Sequence, residues 1–251
     1  MDKFFYEMFQ QMPRQGPGKS EYTKKALSFC QLPKNPQILD IGCGTGAQTI
    51  SLAESTNGQI TAVDNHGPYL EELRKKAKNL GYDSKIQTFQ GDMNHLNFKH
   101  KFDLIWSEGA IYIMGFEKGL NEFKKLLKPD GYIAVTEVAW IKEHPSKEAV
   151  LYWKKEYPAI KDIQQNINVI QSSGYKLIKH FIMPKDAWDE FYSALNDITQ
   201  EMKKKYKNNK QAEKSIKMAE EEINAYEKFR SFYGYVFFIM KNQISKIYNA
   251  V

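Results

Sequence analysis

The chain has 251 residues, of which 42% are hydrophobic and 26% charged, with 15 glycines and 9 prolines. These proportions are ordinary for a folded globular protein, and they exclude collagen-like, low-complexity and largely disordered chains. The two cysteines, Cys30 and Cys43, are too few for a disulfide scaffold or a four-thiolate zinc site. The longest apolar run, 233–240, is too short to cross a bilayer, and residues 1–11 do not resemble a signal peptide. We therefore expect a soluble protein of the cytoplasm.

The 36 basic and 30 acidic side chains give a formal net charge of +6. A basic balance is compatible with a nucleic-acid partner. Almost all of the cations are lysines, however, because arginine occurs only at positions 14, 74 and 230. Arginine is the side chain suited to bidentate contacts with phosphate and guanine. Lysine also alternates with glutamate along the helical stretches, as on a solvated surface, so nucleic acid is not the expected partner.

From residue 37 onward, short β-rich runs alternate with helical stretches, which is the pattern of a parallel sheet with crossover helices. The predicted strands are 37–41, 59–64, 85–90, 102–106, 132–138, 175–183 and 233–240. The predicted helices between them are 47–54, 68–80, 117–127, 145–157 and 163–172. The pattern indicates the α/β fold class, with a mostly parallel sheet.

Two helical regions extend beyond this pattern. Residues 1–30 contain aromatic residues at helical spacing, then a Gly-Pro-Gly hinge at 16–18, and then Ser20 as a candidate N-cap for a second helix. They predict a lid over a site, with a helix that merely covers the sheet edge as the alternative. The lid residues expected to reach the site are Tyr6, Arg14, Gln15 and Gly16. Residues 185–230 carry apolar residues at spacings of three and four on both sides of a polar break, and they predict a helical hairpin.

The most informative segment is the turn after the first strand, Asp40-Ile41-Gly42-Cys43-Gly44-Thr45-Gly46. Glycines at alternate positions leave the backbone bare where a ligand must approach closely. The helix that follows presents free N–H groups and a partial positive charge. Asp64 ends the second strand, where a carboxylate can accept two hydrogen bonds from a ribose diol. Because both segments follow parallel strands, they should face one crevice.

A nicotinamide dinucleotide site is an alternative, since Gly42, Gly44 and Ala47 satisfy its G-x-G-x-x-[GA] pattern. Asp40 argues against it, because a pyrophosphate gains nothing from a further negative charge beside the glycines. The third strand also ends in Gly91-Asp92-Met93. The Asp92 carboxylate can accept from an adenine amino group, and Met93 can cover the ring face.

Residues 40–46 resemble the E/D-x-G-x-G-x-G motif of class I S-adenosylmethionine-dependent methyltransferases. Further segments that fall where the later motifs of that family lie are Asp64, Gly91-Asp92-Met93, Trp106-Ser107-Glu108-Gly109 and Leu127-Lys128-Pro129-Asp130-Gly131. The resemblance covers about 35–140 and the two final strands. Residues 14–18 and 106–112 are also similar to segments of uncharacterised bacterial members. The family's fold is a Rossmann-like, mostly parallel sheet of seven strands whose last strand is antiparallel, here with a helical cap, in one domain spanning 1–251.

The resemblance implies S-adenosyl-L-methionine as the cofactor and S-adenosyl-L-homocysteine as the product. It implies that Asp40 braces the glycine turn, that Asp64 binds the ribose, and that Ser107 and Glu108 lie beside the sulfonium. The complete set of expected cofactor-binding residues is Asp40, Gly42, Cys43, Gly44, Thr45, Gly46, Asp64, Asn65, Gly91, Asp92, Met93, Ser107 and Glu108.

Methyl transfer from a sulfonium is a direct displacement, so it needs alignment and exclusion of water rather than a covalent enzyme intermediate. Glu108 and Tyr112 are the candidates for orienting or deprotonating the acceptor. Alternatively, Glu108 braces the cofactor and Tyr112 is a packing residue. No metal is expected, because the five histidines show no ligand spacing. Aromatic residues such as Tyr112, Trp140, Trp153 and Tyr233 could hold a cationic amine, although core packing explains most of them.

We expect a capped, aromatic-rich mouth to enclose a small-molecule substrate, methylated on N, O or S. Three alternatives stay open: an RNA or protein methyltransferase, which the basic charge supports; a protein that binds S-adenosylmethionine without turnover; and the dinucleotide-binding dehydrogenase. The sequence also leaves the oligomeric state, monomer or dimer, open.

Overall fold

A computed structural model of the chain describes residues 2–243. Within this range the strands are β1 (Gln37–Ile41), β2 (Gln59–Asp64), β3 (Ile86–Gln90), β4 (Phe102–Ser107), β5 (Leu127–Trp140), β6 (Lys161–Asp162), β7 (Tyr175–Ile182) and β8 (Tyr233–Asn242). They form one sheet in the order β3-β2-β1-β4-β5-β8-β7, and β6 pairs with the end of β5. Strand β8 is antiparallel to both of its neighbours, and the other pairings are parallel.

The helices in the described residues are α1 (Lys3–Gln10), α2 (Ser20–Leu27), α3 (Ala47–Ser55), α4 (Gly67–Asn79), α5 (Phe116–Leu126), α6 (Lys147–Glu156), α7 (Ile163–Ser172), α8 (Lys185–Lys205) and α9 (Lys210–Phe229). None of them is both long enough and apolar enough to cross a membrane.

Alternate residues of the central strands pack on opposite faces of the sheet, as the period of two in a strand requires. Ile38 of β1 packs with Leu52 of α3 and Leu73 of α4 on one face. Leu39 of the same strand packs with Leu120 of α5 on the other face. Both faces are therefore covered by helices, which explains why the strands read as nearly continuous apolar runs.

A third apolar cluster joins helices α1, α6, α8 and α9 over the carboxyl edge of the parallel strands. It includes Val138 near the end of β5 and Tyr233 at the adjoining start of β8. Asp2 ties α1 to this layer, because its carboxylate caps α1 and accepts a hydrogen bond of 2.8 Å from the Ser215 hydroxyl of α9. The helices form a cap over the edge at which open α/β sheets bind their ligands.

The α/β fold and the antiparallel last strand are confirmed, with three local differences. Within the described residues, a two-residue strand, β6, is added to the seven predicted strands, and it is too short to show a period of two. Strand β5 begins at Leu127 rather than 132, since Leu127 pairs with Phe102 before the register shifts. The prediction that Ser20 caps α2 is wrong, because Lys19 occupies the N-cap position and the Ser20 hydroxyl accepts from the Ser51 hydroxyl instead.

Glu137 is a buried carboxylate at the carboxyl end of β5. It is 1% exposed, and its Oε1 accepts a hydrogen bond of 2.7 Å from the Tyr157 hydroxyl, which follows α6. Its Oε2 has no hydrogen-bond partner. Burial raises the pKa of Glu137 from its ordinary value of 4.5 to about 7, because a low-dielectric environment disfavours the charged form.

This carboxylate predicts a pH effect on stability. Because the pKa of Glu137 is higher in the folded state than in the unfolded state, binding of its proton stabilises the fold. This stabilisation is complete below pH 4.5 and is lost as the pH rises through about 7. Glu137→Gln keeps an acceptor for Tyr157 and removes the titration. We expect its free energy of unfolding, relative to the parent protein, to increase by roughly 2–3 kcal/mol between pH 4.5 and pH 8. Urea unfolding across this range measures the difference. Exposed Glu143→Gln is the control, and a difference for Glu137→Gln that stays flat with pH contradicts the prediction.

Candidate functional site

A cavity of about 960 Å³ lies between the carboxyl edge of the sheet and the helical cap. Its size is at the upper end of the range typical of small-molecule sites, roughly 300–1,000 Å³. The residues that line it and that the sequence analysis singled out are Tyr6, Arg14, Gln15, Gly16, Gly42, Cys43, Gly44, Asp64, Asn65, Gly91, Asp92, Met93, Glu108 and Tyr112. The structure thus brings four loops of the sheet and the N-terminal segment to one cavity.

Four residues of the expected set do not line the cavity: Asp40, Thr45, Gly46 and Ser107. Asp40 is fully buried and accepts hydrogen bonds from the side chains of Thr49 (2.6 Å) and Gln48 (3.4 Å) of α3. The Gln48 amide also donates to the Cys43 carbonyl at 3.3 Å, so Asp40 braces α3 against the glycine turn from beneath. Burial raises the pKa of Asp40 to about 7. Its position is that of a brace and not of a cofactor contact.

Ser107 and Gly46 are likewise turned toward protein. The Ser107 hydroxyl donates to the Ile41 carbonyl at 2.9 Å, and it thereby joins the ends of β4 and β1. Gly46 has a φ of +84°, and a Cβ at this position would collide with the Leu73 side chain of α4. Both residues shape the loops around the cavity, and the expectation that Ser107 lies beside the sulfonium has no support from its hydroxyl contact.

The glycine turn is packed against other segments of the protein. Gly42 and Gly44 have φ values of +73° and +54°, which glycine adopts without strain. A Cβ on Gly42 would collide with Ala110 in the loop after β4, and a Cβ on Gly44 would lie 2.5 Å from the Gln15 amide oxygen. The absence of side chains therefore lets two protein loops approach the turn, a reason that the sequence pattern does not reveal.

Asp64 connects β2 to the glycine turn. Its Oδ2 accepts from the Gly44 N–H and its Oδ1 accepts from the His66 N–H, both at 2.9 Å. An ionised carboxylate has about four acceptor positions, so each oxygen can accept one further hydrogen bond. Asp64 is therefore oriented by the backbone and still able to accept from a diol in the cavity.

Asp92 begins the short turn after β3. Its carboxylate accepts from the Asn94 N–H at 2.9 Å and from the Asn94 side-chain amide at 3.0 Å. The hydrogen bonds from Asn94 lower the pKa of Asp92, which keeps the group ionised as an acceptor. Met93 follows it, and its methyl carbon would lie 3.6 Å from a Cβ on Gly42. The loop thus places a carboxylate and a thioether beside the glycine turn.

The N-terminal segment is bound directly to the glycine turn. The Gln15 amide oxygen accepts from the Thr45 N–H at 2.8 Å and from its hydroxyl at 3.0 Å. The Gln15 amide nitrogen donates to the Phe9 carbonyl at 2.9 Å. The Tyr6 ring stacks on His66 with centroids 3.9 Å apart and planes 8° apart. The segment that the sequence predicts as a lid therefore lies against the same loops that form the cavity.

Glu108 is an anchor for this segment. Its Oε2 pairs with the Arg14 guanidinium at 2.7 Å, and its Oε1 accepts from the Thr23 hydroxyl (2.6 Å) and the Trp106 indole (2.9 Å). The Glu108 side chain is only 4% exposed. A carboxylate that accepts from three donors, one of them a guanidinium cation, is poorly suited to take a proton from an acceptor, so the geometry favours the bracing role. Desolvation, together with the charges of Glu222 and Glu137, raises the pKa of Tyr112, and its hydroxyl therefore remains protonated.

Most of the cavity wall contributed by the segments that follow β5 was not predicted from the sequence. The aromatic members of this part of the wall are Tyr152, Trp153, Tyr157, Trp188, Phe191, Tyr192, Tyr233 and Tyr235. Of these, only Trp153 and Tyr233 had been named as possible ligand contacts, and Trp140 does not line the cavity. The wall also contains Glu222 of α9. One signal was available, because Glu222 interrupts the apolar stripe formed by Ile216, Ala219, Ile223 and Tyr226.

Across residues 2–243, no three side chains of the histidine, cysteine or carboxylate type come close enough together to share a metal ion.

The sequence profile of the family described as "Methyltransferase domain" matches residues 32–210. The uncharacterized methyltransferase YodH of Bacillus subtilis is 31% identical over 133 residues, which are 53% of this chain and 56% of that protein. Phosphoethanolamine N-methyltransferase 3 of Arabidopsis thaliana is 23% identical over 180 residues, 71% of this chain and 36% of that protein. The matched regions thus cover little more than half of the first of these relatives and about a third of the second.

Solved structures share the fold over nearly the whole length. A methyltransferase of Geobacter sulfurreducens in complex with S-adenosyl-L-homocysteine superposes with a TM-score of 0.87 at 17% identity, over 97% of this chain and 99% of that one. One of Thiobacillus denitrificans, in complex with the same molecule, has a TM-score of 0.86 at 19% identity with the same coverage. The family profile spans more than half of the chain, from β1 to the end of α8. The chain therefore belongs to the methyltransferase-domain family.

Proposed function

We propose that this protein transfers a methyl group from S-adenosyl-L-methionine to a nitrogen, oxygen or sulfur atom of a small molecule. The observation that carries the proposal is the cavity itself, which joins the glycine turn, Asp64 and Asp92 to an aromatic chamber under the cap. A volume of about 960 Å³ leaves room for a second small molecule beside a nucleoside-sized one. The structural neighbours in complex with S-adenosyl-L-homocysteine support the choice of cofactor.

The residues present fit this cofactor. Asp64 has acceptor capacity for the ribose hydroxyls, and Asp92 with Met93 offers an acceptor and an apolar surface for adenine. The glycine turn, including Cys43, would lie along the methionine part, and Asn65 would lie near the ribose. When bound, the cofactor supplies an electrophilic methyl group on a positively charged sulfur. Transfer of that methyl group to the acceptor's lone pair would leave the electron pair of the carbon–sulfur bond on sulfur.

The chain's own contribution is alignment and exclusion of water. Glu108 holds Arg14 and Thr23, and Gln15 holds the glycine turn, so residues 1–30 act as a lid over the cofactor. Tyr112 lines the cavity with a protonated hydroxyl that can donate to the acceptor. We assign Tyr112 to orienting the acceptor and Glu108 to positioning the lid.

A small-molecule acceptor is favoured over RNA by the charges in the cavity. The only cationic side chains that line it within residues 2–243 are Arg14 and Lys155, and both are paired with carboxylates, Glu108 and Glu156. Phosphate contacts need cations that are free to bind. We also propose a bacterial cytoplasmic location, which the unpaired Cys30 and Cys43 and the Bacillus relative support.

Calorimetric titration tests the cofactor. We expect binding of S-adenosyl-L-homocysteine and no binding of NADH. Asp64→Asn should weaken S-adenosyl-L-homocysteine binding by roughly 10–100-fold, because a hydrogen bond to a charged group contributes about 1.5–3 kcal/mol. Exposed Asp197→Asn is the matched control and should bind as the parent does. Unchanged affinity in Asp64→Asn would remove the basis of the cofactor assignment.

Incubation with cofactor labelled in the methyl group tests the transfer itself. With a low-molecular-mass extract of bacterial cells as the acceptor pool, we expect label in a small molecule, and less of it with Asp64→Asn. RNA and protein fractions offered in parallel should remain unlabelled. Label confined to RNA or protein would establish the alternative acceptor class, and binding without any transfer would establish a protein that binds the cofactor without turnover.

The ion pair between Arg14 and Glu108 should affect two quantities that can be measured separately. One is the free energy of unfolding, and the other is the rate at which a ligand held under the lid dissociates. Arg14→Met leaves a buried carboxylate without its cation, so we expect a loss of roughly 3 kcal/mol in the free energy of unfolding. S-adenosyl-L-homocysteine should also dissociate faster in a stopped-flow displacement experiment. Adding Glu108→Gln removes the unpaired charge and should restore most of the stability, while dissociation stays fast.

Exposed Arg74→Met is the control for this pair, and neither quantity should change. If the double variant regained slow dissociation together with stability, Arg14 would have no role in holding the lid.

A further inference from the structure

The part of the cavity under the cap differs chemically from the part at the glycine turn. We call it the acceptor chamber and define it by the cavity residues of α6, α8, α9 and β8. Two tryptophans and one tyrosine pack edge to face in its wall. The Tyr233 ring lies at 72° to Trp153, with centroids 4.6 Å apart, and at 81° to Trp188, with centroids 5.6 Å apart. The three rings therefore form one continuous aromatic wall, and an aromatic surface attracts an organic cation.

Glu222 is the carboxylate of the chamber that has no cation. Its Oε1 accepts from the Tyr192 hydroxyl at 3.1 Å. The neighbouring carboxylates have ion pairs, Glu156 with Lys155 and Glu221 with Lys217. Within residues 2–243, no ion pair of this kind involves Glu222. A half-buried carboxylate in an apolar chamber lacks the countercharge that normally compensates its desolvation.

The electrostatic effects of Glu222 extend over the chamber. Burial raises its own pKa, and the charge of Glu156 adds to the effect. Burial and then the charge of Glu222 raise the pKa of Tyr152 to about 12. The same charge contributes to the raised pKa values of Tyr112, Tyr233 and Tyr235. The phenols of the chamber therefore remain neutral, and within the described part of the chain Glu222 is the chamber carboxylate that has no cation beside it.

Among residues 2–243, the cavity offers an anionic ligand no unpaired cation. The two cationic side chains that line it there, Arg14 and Lys155, already bind carboxylates. A phosphate or carboxylate group would therefore enter a chamber that contains Glu222 and no available cation, which is unfavourable by both repulsion and desolvation.

We propose that the acceptor chamber binds the methyl acceptor as an organic cation, a primary or secondary amine without a phosphate or carboxylate group. Its ammonium group pairs with the Glu222 carboxylate, and its apolar part lies against the aromatic wall that Trp153, Trp188 and Tyr233 form. This inference rests on the proposed function and adds the substrate class. The ammonium group releases one proton to water, and the freed lone pair then forms the nitrogen–carbon bond as the carbon–sulfur bond breaks.

A charged probe and its neutral isostere test the chamber. The protein is first saturated with S-adenosyl-L-homocysteine and then titrated with phenyltrimethylammonium or with tert-butylbenzene, which has the same shape and no charge. Quenching of tryptophan fluorescence reports binding, since Trp153 and Trp188 line the chamber. We expect the cation to bind at least about 10-fold more tightly than the hydrocarbon.

Variants assign this preference to Glu222. Glu222→Gln preserves the shape of the side chain and should reduce the preference to about threefold or less, the part that the aromatic faces supply. Glu213→Gln, an exposed change on the same helix, should retain the full preference. Equal binding of the two probes by the parent, or an undiminished preference in Glu222→Gln, overturns the proposal.

Two readouts separate this inference from the proposed function. Binding of S-adenosyl-L-homocysteine without a preference for the cation overturns the substrate class alone, whereas failure to bind S-adenosyl-L-homocysteine overturns the proposed function. In the labelling experiment, the methylated product should be retained by a cation-exchange resin at neutral pH. Retention by an anion-exchange resin instead would show an acidic acceptor and contradict the amine.

Discussion

The glycine turn between β1 and α3 is held by two carboxylates, and the rest of the site depends on it. Asp40 braces α3 from beneath through Thr49, and Asp64 accepts the Gly44 N–H from the side. The N–H groups of Gly42, Cys43 and Gly46 donate to backbone carbonyls, and the Asp64 carboxylate accepts from the N–H of Gly44, which has no such partner within residues 2–243. Because the turn is held in this way, Gln15 can bind Thr45 and the loop after β4 can pack on Gly42.

The molecule separates its charges between surface and site. The chain as a whole carries a net charge of +6, yet the only cations that line its cavity in the described residues are both paired, while Glu222 is not. Net charge therefore says little about the ligand, since lysines on solvated helix faces dominate the sum. The ligand responds to the local field, which the folded arrangement of a few carboxylates and aromatic rings determines.

The helical cap closes the edge of the sheet with aromatic side chains that serve two purposes. Trp188 stacks on Tyr226 within the cap and also lines the cavity, so one side chain serves both the packing of the cap and the surface of the cavity. Asp2 and Ser215 join the N-terminal helix to the α8–α9 hairpin, which links the predicted lid to the chamber wall. Movement of the lid would therefore disturb the surroundings of both the cofactor and the acceptor.

Much of the sheet was predictable, because its information is local. Strand β1 and helix α7 have the predicted bounds, since the period of their apolar residues and the flanking turn residues are contained within each segment. Residues 40–46 and Asp64 were identified from the glycine spacing, from the position of Asp64 at the end of a strand, and from the resemblance to a family motif. The errors concern features that depend on a residue distant in the chain. Strand β6 exists because it pairs with β5, and the Ser20 hydroxyl binds that of Ser51 rather than the backbone of its own helix.

The α/β order, the glycine turn and the positions at which carboxylates follow strands can all be derived from the amino-acid sequence. These features depend on backbone preference and on residues close together in the chain. The folded arrangement was needed to show that Asp40 and Ser107 bind other protein groups, that Glu108 binds Arg14, and that Glu222 lines the same cavity as the aromatic residues of the cap. Such roles depend on which distant side chain supplies the hydrogen bond or the countercharge, and the spacing of residues along a chain carries no record of that partner.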